Sequence, residues 1–268
     1  MPRSSQRPIN TPVANGGGNT DPEEAQQRAR GQRAEHVSEW YFRLNGFLSI
    51  PGFIVHIDTP EAQIARNGRP KIARTEADLM GVRFPRSGEL IDGRSMKDDS
   101  WIDEYSSDST KPLFILVETK AKECRMNGPW TNRSARNMQR VIRRLGFAES
   151  ESQIDEIADS MYVNASWVGT SARLQYICVG GEKSQELANQ YARLKQLDWM
   201  EIGHFLLNRF GHFPAKLPSD LIHPQWPKFG QEYARWFVKE RWREVNSGAS
   251  CEAVVRYINT GSCQTPRD

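Results

Sequence analysis

Glu118 and Lys120 are the residues whose types and spacing most directly suggest chemistry. They follow the apolar run Leu113-Phe114-Ile115-Leu116-Val117, which reads as a central strand buried on both faces. Residues two apart in a strand project to the same side, so Glu118 and Lys120 share a face and Thr119 points to the other. Charge is costly to bury without a partner, so the pair must be solvated, mutually paired or bound to metal. Asp78, in a second mostly apolar stretch, supplies another carboxylate. Two carboxylates and a backbone carbonyl make a hard oxygen site of the kind Mg²⁺ takes, with waters in its remaining positions. A metal so held polarises a phosphodiester and lowers the pKa of bound water. A lysine beside it orients that water and offsets charge building on the phosphoryl oxygens. The chemistry expected is therefore metal-assisted phosphodiester hydrolysis. On spacing alone a surface ion pair is the more ordinary reading; the apolar strand leading into the pair favours the chemical one.

The elements that must hold these residues are readable from periodicity. A helix starts near Gln32, buries Val37, Trp40, Tyr41 and Leu44, and ends at Asn45-Gly46. Strands are predicted over 53–57, about 72–84, 113–117 and 173–179. Helices are predicted over about 132–145, 153–162, 186–197, 199–210 and 230–242. The order is helix, strands, helix, strand, helices, which indicates an α/β core with a helical C-terminal part. Residues 1–30, rich in Pro, Asn, Gly, Gln and Arg, read as a disordered tail, with a basic nucleic-acid-touching arm as the alternative. Residues 86–111 read as a polar insertion carrying Asp92, Asp98, Asp99, Asp103, Glu104 and Asp108. Over the site it would repel a polyanion unless it binds cations or moves, and regulation of access is the alternative.

Between Lys120 and Arg144 there are eight basic residues and one acid, Glu123. On a helix over 132–145, Arg133, Arg136, Arg140, Arg143 and Arg144 would form one basic face, opposite Ala135, Met138, Val141, Ile142 and Leu145. A basic face beside a candidate metal site suits a phosphate backbone, and arginine is the better bidentate phosphate ligand. A solvated face is the plain alternative. Gln139 lies close to this face and is read either as a phosphate or water contact or as an ordinary surface glutamine.

The order of these parts resembles the PD-(D/E)XK nuclease superfamily, over about residues 31–180. Gly31-Gln32-Arg33-Ala34-Glu35-His36-Val37 is similar to the family's first helix with its glutamate. Glu76-Ala77-Asp78 matches the metal-binding aspartate, with Ala77 where the family's proline would stand. Glu118-Thr119-Lys120 matches the (D/E)xK motif, and Gln139 the glutamine that follows it in some branches. The resemblance implies a restriction-endonuclease-like core: a central mixed four-stranded sheet flanked by helices, spanning 31–183, with a helical extension over 184–268 packed on it. It also implies Mg²⁺ dependence, with Mn²⁺ as a substitute, and nucleic acid, first of all DNA, as substrate. Asp78, Glu118 and the Thr119 carbonyl would bind metal, Lys120 would position the attacking water, and Glu35 would hold a second metal or a water. Arg133, Arg136, Gln139 and Arg140 are the expected nucleic-acid contacts. A catalytically silent binding member of the same fold is the alternative. A homodimer is a further expectation, since nucleases that cut both strands often work in pairs.

Composition sets the outer limits. The 268 residues carry a net charge of only +3 and are 38% hydrophobic, enough for a real core. No apolar run approaches the roughly 18–20 residues needed to span a bilayer, and the first 34 residues lack the apolar centre of a secretory signal. Cys124, Cys178, Cys251 and Cys263 lie far apart without metal-like spacing, so free thiols in a reducing cytoplasm are expected. The five histidines show no ligand spacing, and His56 is the nearest to a role by its strand position. The C-terminal aromatics Trp199, Phe205, Phe210, Trp226, Trp236, Phe237 and Trp242 recur at helical spacing and are expected to pack.

Overall fold

The computed structural model describes residues 21–56, 74–91, 93–106, 110–211, 226–240 and 245–265. A mixed sheet forms the centre, and helices cover both of its faces. The strands are β1 (Leu48–His56), β2 (Arg74–Arg83), β5 (Leu113–Thr119), β6 (Ser166–Val168), β7 (Arg173–Gly180) and β8 (Lys195–Asp198). Their order is β1-β2-β5-β7, with β6 and β8 sharing the far edge of β7: β6 pairs its first half and β8 its second. β1, β2 and β5 are antiparallel, whereas β5, β7 and β8 are parallel. The sheet therefore has six strands among the described residues, not the expected four. The short strands β6 and β8 lack the apolar alternation that marks the others. β8 takes the end of the stretch expected to be helical, where the helix α6 (Gln185–Gln190) stops early. Buried Gln196 of β8 exchanges hydrogen bonds with the Ser184 backbone, at 2.7 and 2.9 Å, a tertiary pairing that local propensity does not show.

Alternation along β5 and β7 divides the core in two. Leu113, Ile115, Val117, Ile177 and Val179 face one side. There they meet α1 (Pro22–Leu44), α7 (Trp199–Gly211), α8 (Lys228–Glu240) and α9 (Ser247–Thr260). Leu116, Leu174, Tyr176 and Cys178 face the other side, under α4 (Asn137–Leu145) and α5 (Glu151–Asn164). Helix α1 begins ten residues before its expected start. Asp21 accepts the Glu23 N–H at 3.0 Å, Pro22 opens the first turn, and Glu23 and Glu24 sit at the positive end of the helix dipole. Residues 22–30 thus belong to a helix rather than to a disordered tail; residues 1–20 lie outside the described residues.

The C-terminal aromatics do pack. Trp40 of α1 lies among Phe210, Trp226, Phe229 and Tyr233, with ring centroids 5.4–6.1 Å apart. Trp242 is outside the described residues. Gly230 of α8 permits this packing, because a Cβ there would meet the Trp40 ring at 2.7 Å. Gly31 of α1 has nothing within 4 Å of its missing Cβ. The two glycines should respond oppositely to alanine in denaturant unfolding. Gly31→Ala should stabilise by about 0.5–1 kcal/mol through helix propensity. Gly230→Ala should destabilise by about 1–3 kcal/mol through overpacking.

The described part of the acidic insertion forms a small hairpin of β3 (Leu90–Ile91) and β4 (Arg94–Ser95) and a helix α2 (Ser100–Ser106). Two of its acids are tied down. Asp98 pairs with buried Arg83 at 2.5 Å, and Asp99 accepts the Tyr41 hydroxyl at 2.5 Å. Asp92 and Asp108 lie outside the described residues. The insertion leaves β2 after Arg83 and rejoins at Leu113, so it is rooted at the far end of β5 from Glu118, about 17 Å away along the strand. No helix among the described residues is long and apolar enough to cross a membrane. All four cysteines are buried free thiols.

Candidate active site

The β2–β5 ladder runs from Arg83↔Leu113 to Leu79↔Val117 and stops. By register the next two residues across the gap are Asp78 and Glu118. Beyond that point the Asp78 carboxylate, rather than a β2 carbonyl, takes the Thr119 N–H at 2.6 Å. A residue's N–H and C=O face the same neighbour in an antiparallel pair, so the Thr119 carbonyl lies on the Asp78 side. The Thr119 hydroxyl donates to Ser38 of α1 at 3.1 Å. Ser38 is three residues beyond Glu35, on the same helix face, so this bond seats the Glu35 face of α1 over the strand end.

Glu118 is 0% exposed despite its charge. One of its oxygens, Oε1, accepts from both Lys120 Nζ and Asn127 Nδ2, and Oε2 accepts from the Tyr176 hydroxyl at 3.4 Å. Lys120 is held through its backbone N–H, which donates to the Val179 carbonyl at 2.8 Å, while its side chain keeps 29% of its surface. Burial and the nearby Asp78 charge push the Glu118 carboxyl up to about 7, and the lysine offsets this only in part. Burial, Asp78 and Glu76 push Glu35 up to about 7 as well. Asp78 is raised by burial, against the Thr119 hydrogen bond and Lys120. These acids therefore feel one another across a gap that holds one lysine, and negative charge there is under-compensated.

The expected triad of Asp78, Glu118 and Lys120 is thus brought together, with Glu35 within electrostatic reach. Among the described residues no group of three His, Cys, Asp or Glu side chains stands ready to enclose an ion. Asp78 and Glu118 with the Thr119 carbonyl fit the oxygen-only donor set that Mg²⁺ prefers, in which one or two carboxylates are completed by waters and substrate oxygens.

The basic segment differs from expectation. Instead of one helix over 132–145 there is a turn of helix α3 (Gly128–Thr131), a 3-10 turn (Arg133–Ala135) and then α4. Arg136 adopts φ 52° between them, so Arg133 is not on the helix that carries Arg140. Arg133 and Arg136 reach Asp159 and Asp155 of α5, at 3.6 and 2.9 Å, and both remain more than half exposed. Arg140 donates to the Ala135 carbonyl at 2.6 Å. Arg143 pairs with Glu151, and Arg144 lies over the Phe53 ring. Gln139 is not the exposed glutamine of the plainer reading. It is 8% exposed and bonded to Asp155 and the Tyr162 hydroxyl, at 3.3 and 3.4 Å.

Sequence reasoning did not single out Asn127, Tyr176 or Glu76 for the site. Asn127 sits in a loop without periodicity, so only the fold brings it to Glu118. Tyr176 carried a usable signal, since a tyrosine in a buried strand needs a partner for its hydroxyl. Of the histidines, His36 and His204 are exposed, the His56 side chain is not described, and His212 and His223 lie outside the described residues. His204 lines a cavity of about 680 Å³ between the insertion and α7, with Met96, Trp101 and Arg209, and none of the candidate site residues borders it. No family model, no curated protein and no solved structure matches this chain.

Proposed function

We propose that the chain is a metal-dependent nuclease of restriction-endonuclease-like fold that hydrolyses phosphodiester bonds in nucleic acid, with DNA as the first substrate to test. The observation that carries this reading is the set of facing acids at the open end of the β2–β5 ladder. Glu35, Asp78 and Glu118 carry three negative charges when ionised, against one positive charge on Lys120. A divalent cation supplies the missing charge. Asp78, Glu118 and the Thr119 carbonyl would hold it, and Glu35 a second ion or a water. When bound, Mg²⁺ polarises the phosphodiester and makes water a stronger nucleophile near neutral pH. Lys120, partly open to solvent beside Glu118, orients the attacking water and donates to the phosphoryl oxygens. Asn127 and Tyr176 keep the Glu118 carboxylate in one orientation. Water adds to phosphorus and releases a proton to solvent, the ester P–O bond breaks, and the leaving oxygen takes a proton from solvent.

A second reading has its own support. Glu118 is sealed from solvent by Lys120, Asn127 and Tyr176, as a silent binding member of the fold would tolerate. A cleavage assay separates the two. Turnover of single- or double-stranded DNA in Mg²⁺, abolished by chelator and by Asp78→Ala, supports the nuclease. Binding without turnover in Mg²⁺ and Mn²⁺ supports the silent form.

The arginines bear on binding. An exposed ion pair such as Arg136–Asp155 is worth only about 0–1 kcal/mol, so exchange of the aspartate for a phosphate costs little. Replacing Arg133 and Arg136 by alanine should flatten the plot of log affinity against log salt by about 0.9 for each phosphate no longer neutralised. An unchanged slope would remove both residues from the nucleic-acid surface.

A further inference from the structure

Strand β1 is an edge of the sheet, paired only with β2. Registered pairs carry an apolar row from it across five strands: Leu48, Val82, Phe114, Leu174 and Trp167. A second row runs Ile50, Met80, Leu116 and Tyr176. Both rows lie on the sheet face that α4 and α5 cover. The cover is incomplete. It buries Leu116, Leu174 and Tyr176, and its margin is Phe147, whose ring lies 5.2 Å from Phe114 and 5.5 Å from Trp167. At the β1 end the same face is open: Leu48 is 65% exposed and Ile50 53%. Phe84, next after Val82 in the alternation of β2, is 52% exposed.

With the partly buried Met80, Val82, Phe114 and Phe147, these side chains form an apolar surface on the order of 500 Å², near the largest patch that monomers leave in water. An interface about 65% apolar built on it comes to about 800 Å² per partner, the standard size of a stable complex. The rim carries both signs. Arg86 and Glu149 are exposed, each two residues from a patch member, Phe84 and Phe147. A partner of one charge is recognised by an excess of the other, whereas a surface that meets its own copy about a twofold axis must be self-complementary. The edge of β1 is blunted against strand addition: Pro51 has no N–H to give, and Gly52 turns the chain at φ 59°. The face, not the edge, is what remains to be buried.

We infer that this face is the interface of a homodimer, in which two copies pack Leu48, Ile50 and Phe84 against one another about a twofold axis. The inference rests on neither the metal site nor turnover, and no residue of the candidate active site belongs to the patch.

Sedimentation velocity of the full chain between about 1 and 100 µM tests it. Wild type should be a dimer at the upper end of that range with no larger species, because a twofold interface closes on itself. Leu48→Lys combined with Ile50→Lys should weaken the dimer about 100-fold or more, since like charges would be buried against each other. Phe84→Glu, outside the β1–β2 ladder, should do the same, and circular dichroism checks that each variant folds. Val163→Lys and Val255→Lys, at exposed positions of α5 and α9, should leave the dimer unchanged. A wild type that is monomeric at the highest concentration overturns the proposal and leaves the face to a different partner. A dimer left intact by both patch variants, or lost equally in Val163→Lys, also overturns it, as do species that keep growing with concentration. A dimer in a protein that never cleaves DNA keeps the interface and removes only the nuclease reading.

Discussion

Replacing Lys120 by alanine should lower DNA cleavage by about 10²–10³-fold, the usual effect of losing one donor aimed at transition-state charge, while the fold persists. The backbone that places Lys120 does not depend on its side chain, because the Lys120 N–H is held by the Val179 carbonyl. The side chain is 29% exposed and makes no apolar packing essential to either core. Thermal stability should fall at alkaline pH, where buried Glu118 loses its paired cation, and change little in acid, where Glu118 is protonated; the activity loss should appear in kcat more than in KM. Lys120→Arg should rescue poorly, since a planar guanidinium does not replace a compact ammonium beside a carboxylate. If Glu-x-Lys were only an ion pair, any turnover would survive Lys120→Ala, and the arginine variant would behave as wild type.

Glu118→Gln should make the metal-free protein more stable at alkaline pH and leave its stability unchanged in acid. The sign follows from the raised carboxyl. Glu118 ionises near 7 in the fold against about 4.5 in the unfolded chain. Its contribution is fully present below 4.5 and is lost as pH rises through 7. Each unit of such a shift is worth about 1.4 kcal/mol, so the variant's advantage in chelator should grow between pH 4.5 and 7 and then level off. Glu35→Gln should show the same sign, because burial and the Asp78 charge raise that group too. Divalent cation should reverse the order by stabilising wild type and not Glu118→Gln. Unfolding curves at stepped pH, with and without Mn²⁺, measure both effects. A variant less stable than wild type at pH 8 in chelator contradicts this assignment.

The parts of the site that lie on strong periodic elements are legible in the sequence. The Leu113–Val117 run announces a central strand, and the two-residue spacing places Glu118 and Lys120 on one face. Asp78 is recognisable by its place on the preceding strand, but only the register shows why it matters: the ladder ends one residue short of it. The three-to-four spacing of arginines suggests a single basic helix. Arg136 in the left-handed region breaks it, a local conformation that spacing does not report. Gln139 reads as exposed for the same reason, yet it is buried against Asp155 and Tyr162. Strand β8 and the Glu118–Asn127 contact depend on tertiary pairing, which no local pattern encodes. The start of α1 is readable in Asp21-Pro22-Glu23-Glu24, but the polar composition around it conceals the cap.

Calorimetric titration of Mn²⁺ into wild type, Asp78→Asn and Glu118→Gln reaches the central claim without needing a substrate. Saturable binding to wild type, lost in both variants and displaced by Mg²⁺, is the expected result. Absence of saturable binding to wild type, or equal affinity in Asp78→Asn, contradicts a metal site at the open end of the β2–β5 ladder.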